Sequence, residues 1–211
     1  MNILFDLDGT IIDPGDGIIK SYSKALVALG HQDKITLDMS WVVGPPLRKS
    51  FATILPEEMV EEAVAKYREF HAQGGLKEAV LYDGIADIIA QLNDTGHQLF
   101  ICTAKNVPFA RQNIEQFNLE GYFTEIYGSH LDGKFDDKAE LVGHIIDTHG
   151  LNKSETIMIG DREHDIIAAR KNGINGIGVL WGYGKEEELS NAGAHILVEN
   201  PGELLKVVVD S

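Results

Sequence analysis

Short β-branched or apolar runs recur at residues 2–5, 98–102, 125–127, 156–159 and 176–180, separated by amphipathic stretches. Runs of four or five residues are strand length, and strands alternating with helices close as βαβ units. The chain is therefore predicted to be α/β, with a Rossmann-like, mostly parallel sheet covered by helices on both faces. Ile85, Ile88, Ile89 and Leu92 mark one helix, stopped by Gly96. Phe109, Ile114 and Phe117 mark another, opened by Asn106 with Pro108 in its first turn. Later helices are expected over residues 137–148 and 164–172.

Residues 16–75 break the alternation. No strand pattern stands out there, and helical stripes replace it. Ile18, Ile19, Tyr22, Leu26 and Leu29 share one face, as do Met59, Val60, Ala63, Val64, Tyr67 and Phe70, with Pro45, Pro46 and Pro56 between them. This reads as a helical insert. Segments 13–17, Asp-Pro-Gly-Asp-Gly, and 74–84, from Gly74-Gly75 to Asp83-Gly84, are paired connections on which it could hinge.

Charge limits the partners. Against 18 Lys and Arg stand 33 Asp and Glu, a net charge of −15, which repels phosphate backbones and anionic lipid. Nucleic-acid and membrane-surface binding are disfavoured. Cys102 is the only cysteine, which excludes an internal disulfide framework and a cysteine zinc cage. A reducing compartment fits, and the opening MNILFDLDGT lacks a basic leader or a spanning run, so a cytoplasmic protein is expected.

The chemistry concentrates at strand ends. Asp6 and Asp8, in Asp6-Leu7-Asp8-Gly9-Thr10, directly follow the first run, and residues two apart on an extended segment face the same side. The run Ile157-Met158-Ile159-Gly160 also ends in an acid, Asp161, with Asp165 four residues on at a helix start. Four carboxylates thus fall at the carboxyl ends of strands, where open α/β sheets bind ligands. Like charges ~4 Å apart repel by about 4 kcal/mol at an effective dielectric near 20, so a cation is needed. All-oxygen ligands suit Mg²⁺, which commonly shares its site with a substrate phosphate. Asp6, Asp8, Asp161 and Asp165 are the candidate metal residues.

With these motifs in this order, the chain resembles a phosphatase of the haloacid dehalogenase (HAD) superfamily with an inserted helical cap, and within it the phosphoglycolate phosphatases. The likeness rests on Asp6-Leu7-Asp8-Gly9-Thr10, Thr103 ending the second predicted strand, Lys138 in Asp137-Lys138-Ala139-Glu140, and Gly160-Asp161-Arg162-Glu163-His164-Asp165. It implies a catalytic core of residues 1–15 and 80–211 with residues 16–79 as cap. It further implies Asp6 as nucleophile, Asp8 as general acid and base, Thr103 and Lys138 holding the phosphoryl group, and Asp161 completing the Mg²⁺ site with Asp165 behind it. Mg²⁺ and Lys138 would offset the charge that keeps an anionic carboxylate from a phosphate dianion. Four carboxylates against Mg²⁺ and Lys138 leave one negative charge before substrate binds, so Asp8 is expected to keep a proton.

Lys105 follows Thr103 on an expected turn and is read as solvated at the pocket rim. Arg48, in Gly44-Pro45-Pro46-Leu47-Arg48, is a candidate partner for a substrate carboxylate, against the competing reading of a surface arginine. Residues 128–134 match G-x-x-x-x-G-K, but Phe135 stands where a nucleotide loop has Ser or Thr. His144 and His149 lie five apart, about 140° around a helix, and cannot easily share a metal. The expected substrate is a small phosphorylated metabolite, phosphoglycolate-like first, with a 5′-nucleotidase or a sugar-phosphate mutase as alternatives. A dehalogenase would not need Asp8, and a non-enzymatic phospho-receiver would need neither Asp8 nor the insert. A monomer and a homodimer remain open.

Overall fold

A computed structural model describes residues 1–209. The strands are β1 (Asn2–Phe5), β2 (Ile12–Asp13), β3 (Val80–Leu81), β4 (Gln98–Asn106), β5 (Glu125–Ser129), β6 (Thr156–Gly160), β7 (Asn175–Val179) and β8 (Ile196–Val198). The main sheet has the order β5-β4-β1-β6-β7-β8, and every pairing is parallel. Strand order reverses at β1, which lies between β4 and β6 with Phe5 level with both Ile101 and Ile159. The carboxyl ends of these three strands thus sit at the switch point, where open α/β sheets bind ligands. β2 and β3 form a separate two-stranded sheet.

The chain divides into two compact units, Pro14–Val80 and the remainder. In the sheet unit the helices are α4 (Ile85–Asp94), α5 (Val107–Gln116), α6 (Lys138–His149), α7 (Glu163–Asn172), α8 (Glu186–Ala192) and α9 (Pro201–Val209). Alternation along the strands sends Leu4, Phe100, Cys102 and Met158 into one cluster with Leu141, Val142 and Ile145 of α6 and Ala168 and Ala169 of α7. Burying each large apolar side chain contributes roughly 1.5–3 kcal/mol, and this cluster locks α6 and α7 onto the sheet. Their amino ends, which carry Lys138 and Asp165, are thereby held in place.

The helical unit holds α1 (Gly15–Ala28), α2 (Leu47–Ala52) and α3 (Glu57–Ala72). Its centre is aromatic: Tyr22 stacks on Phe51 at 4.1 Å, with Trp41 and Tyr67 edge-on to it. Helix α1 begins at Gly15, inside the segment expected to be a connection. Pro14 precedes its first turn, and Gly17 lies so close to the Gly75 carbonyl that no Cβ would fit. Sequence patterning missed β8, which is only three residues long, and α9. Among the described residues no helix is long and apolar enough to cross a membrane.

Candidate active site

Asp6 is the first residue beyond β1, and its N–H still bonds to the Ile159 carbonyl at 2.8 Å, so the strand's direction carries it over the sheet edge. Leu7 is fully buried, as alternation requires, while Asp6 and Asp8 are 3% and 9% exposed. The chain then turns sharply at Gly9, whose φ is +87°. A Cβ there would fall on the Asp161 carboxylate, so both the turn and the space demand glycine.

Asp161 follows β6 in the same way and is completely buried. Its Oδ2 accepts the Tyr183 N–H at 2.8 Å, and its Oδ1 has no hydrogen-bond partner. Asp165, in the first turn of α7, accepts the Arg162 N–H at 3.0 Å through Oδ2, and its Oδ1 accepts from Lys138 Nζ. Lys138 opens α6, where Asp137 caps the helix by accepting the Ala139 N–H at 2.9 Å. Its Nζ is also 2.9 Å from Asp6 Oδ1, although not aligned for a hydrogen bond. Oxygens of Asp6, Asp161 and Asp165 all lie within 4.8 Å of one another.

Asp8 is not one of this trio, and Lys105 Nζ bonds to its Oδ1 at 2.6 Å. The expectation of a solvated Lys105 is overturned: its side chain is 5% exposed. The cause is β4, which does not end at Thr103 but continues to Asn106 through a register irregularity against β5. Lys105 is therefore on the strand rather than on a turn. Thr103 is buried, and its Oγ1 accepts the Lys105 N–H at 3.2 Å, leaving its own O–H to donate elsewhere. The charge count changes accordingly. Four carboxylates with two ammonium groups leave two negative charges, the amount one divalent cation neutralises.

Burial sets the proton affinities. It pushes the Asp8 carboxyl up, against the Lys105 ammonium. Burial raises Asp161 well above the usual range, with Asp6 and Asp165 adding to it. Asp165 is pushed up to about 6 by burial, against Lys138. Burial works to discharge Lys138, but Asp165 and Asp6 outweigh it and raise its proton affinity. These carboxyls favour a proton when no cation faces them, and a hard divalent cation removes that preference. The bare, buried Asp161 Oδ1 beside Asp6 offers oxygen donors that could hold such an ion. Asp165 completes the three carboxylates that could hold such an ion, while both its oxygens also accept hydrogen bonds, Oδ1 from Lys138 and Oδ2 from the Arg162 N–H.

Arg48 lies on α2 and pairs with Glu61 of α3 at 2.5 Å. Sequence patterning missed the segment Trp181 to Gly184, which wraps Asp161; its only signal was a pair of glycines just after the last predicted strand.

Fold and site together define a doubly wound α/β enzyme whose buried carboxylates meet at the switch point of its sheet. The family model described as haloacid dehalogenase-like hydrolase matches residues 3–179, and the chain belongs to that family. A 5′-nucleotidase of Pseudomonas aeruginosa is 42% identical over 190 residues, covering 89% of this chain and 86% of that protein. A Mycobacterium tuberculosis protein named tyrosine-protein kinase PtkA is 32% identical over 185 residues, covering 88% of this chain but 64% of its own length. A phosphoglycolate phosphatase of Vibrio parahaemolyticus is 27% identical, covering 99% of this chain and 96% of that protein. Among solved structures, one from Clostridium acetobutylicum, described as a predicted phosphatase, is 38% identical with a TM-score of 0.95, covering 100% of this chain and 98% of that one.

Proposed function

We propose that this HAD-family phosphatase hydrolyses phosphate monoesters of a small metabolite through an aspartyl-phosphate on Asp6, with Mg²⁺ held by Asp6 and Asp161. The observation that carries the reading is the buried meeting of Asp6, Asp161 and Asp165, with Lys138 paired to Asp6 and Asp165 and with Asp161 Oδ1 left unbonded. When bound, the cation supplies charge neutralisation for an anionic nucleophile approaching an anionic phosphoryl group.

An Asp6 oxygen forms a bond to phosphorus as the ester P–O bond breaks, and the leaving alkoxide takes the proton carried by Asp8. The Asp8 carboxylate next removes a proton from water. The hydroxide attacks phosphorus, the Asp6–phosphorus bond breaks, and inorganic phosphate leaves with Asp6 restored. Lys138 and the Thr103 O–H stabilise the equatorial oxygens. The raised proton affinity of Asp8 supports its donor role, and the Lys105 ammonium supports its return to carboxylate. In this reading the helical unit is the cap that excludes water and selects the leaving group. A substrate carboxylate recruited by Arg48 would have to displace Glu61.

We place nucleoside monophosphates first among candidate substrates and phosphoglycolate next; the higher identity of the relative named 5′-nucleotidase supports this order. The experiment is phosphate release from nucleoside monophosphates, phosphoglycolate and sugar phosphates, with Mg²⁺ and with chelator, for the wild type and Asp6→Asn. Turnover that needs both Mg²⁺ and Asp6 is expected. Full turnover by Asp6→Asn would overturn the covalent route.

A further inference from the structure

Trp181, Gly182, Tyr183 and Gly184 follow β7 and lie against the candidate metal site on several sides. The Tyr183 N–H donates to Asp161 Oδ2 at 2.8 Å. The Tyr183 hydroxyl donates to Asp13 Oδ1, and Trp181 Nε1 donates to the Thr10 carbonyl at 3.0 Å. Gly182 is seated so tightly that a Cβ would meet both the Gly9 carbonyl and the Asp161 side chain. One four-residue segment thus touches the second carboxylate of the cluster, the turn after Asp6, and Asp13.

We propose that this segment is a strap that positions Asp161 for its cation, with the Tyr183–Asp13 hydrogen bond as its anchor. The proposal rests on the reading of Asp6 and Asp161 as the metal site. By occupying Oδ2, the Tyr183 N–H fixes the rotation of the Asp161 carboxylate and leaves Oδ1 as the oxygen free to ligate. A backbone donor can do this only if its segment is held still. Glycine at 182 lets the strap approach but supplies no side-chain packing, so the Tyr183 hydroxyl and the Trp181 indole provide the fixed points. Tyr183 is a positioning residue: it acts on the ion through Asp161.

Removing partners that orient a metal ligand typically weakens metal binding ~10–100-fold. The test is calorimetric titration of the full chain with Mg²⁺ alone, for wild type, Tyr183→Phe, Asp13→Ala, the double variant and Asp161→Asn, with thermal unfolding in chelator to establish that each is folded. The strap predicts at least ~10-fold weaker Mg²⁺ binding for Tyr183→Phe and for Asp13→Ala, with no further loss in the double variant. A second variant, Gly182→Ala, should also weaken binding, since its Cβ displaces Asp161. Wild-type binding by Tyr183→Phe alongside lost binding by Asp161→Asn overturns the strap while the metal site stands. Unchanged binding by Asp161→Asn overturns both.

Discussion

Replacing Lys105 by Met removes the one ammonium bonded to Asp8 while keeping the length of the side chain. At 2.6 Å and an effective dielectric near 20, the lost attraction is about 6 kcal/mol in the Coulomb limit. Water entering the vacated end recovers much of that, and neighbouring opposite charges move carboxyl values by ~1–3 units in practice. The sign is fixed: Lys105 favours the carboxylate, so its loss raises Asp8 further in the direction burial already sends it. Phosphorylation of Asp6 needs Asp8 protonated and should proceed, with the alkaline limb of kcat/KM moving up by ~1–3 pH units. Hydrolysis of the phosphoenzyme needs the carboxylate. A two-unit shift lowers its population ~100-fold below both values. Rapid-quench measurement with Mg²⁺ should therefore show a burst approaching one phosphoenzyme per site, followed by slow turnover. A pH profile that stays in place, with no burst, would refute the assignment of Lys105 and Asp8 as a tuned pair.

Lys138→Met leaves the buried Asp6 and Asp165 without their cation and should lower stability in chelator by ~3–5 kcal/mol by urea unfolding; adding Asp165→Asn should recover part of the loss, and strict additivity would contradict the pairing. Gly9→Ala should cost more than the ~1–2 kcal/mol of a left-handed alanine, because its Cβ meets Asp161, and Mg²⁺ titration should show lost binding. Phe51→Ala should destabilise by ~3–5 kcal/mol through the aromatic centre of the helical unit, read by near-ultraviolet circular dichroism during unfolding; an unchanged transition would contradict the packing.

The parallel sheet was legible because its strands are buried on both faces and read as apolar runs, as Ile157-Met158-Ile159 does. Asp6 and Asp161 were legible for the same reason, since the strand that ends before an acid also aims it, and Asp165 from its place at the start of the helix that follows Asp161. Lys105 was not. Its inward direction depends on a register irregularity in β4 that no local pattern announces, and alternation past Thr103 alone would not distinguish a turn from a continued strand. Tyr183 escaped because its contact with Asp161 is made by a backbone N–H, which every residue but proline carries. Lys105 also pairs with Asp8, so one misread lysine altered the charge count of the site.

The most direct test of the account is a crystal structure of the wild-type protein with Mg²⁺ and beryllium fluoride, a mimic of an acyl-phosphate. The adduct is expected on an Asp6 oxygen, with the ion touching Asp6 and Asp161 and with Lys138 against the fluorides. An adduct on Asp8, or an ion bound away from Asp161, would contradict it.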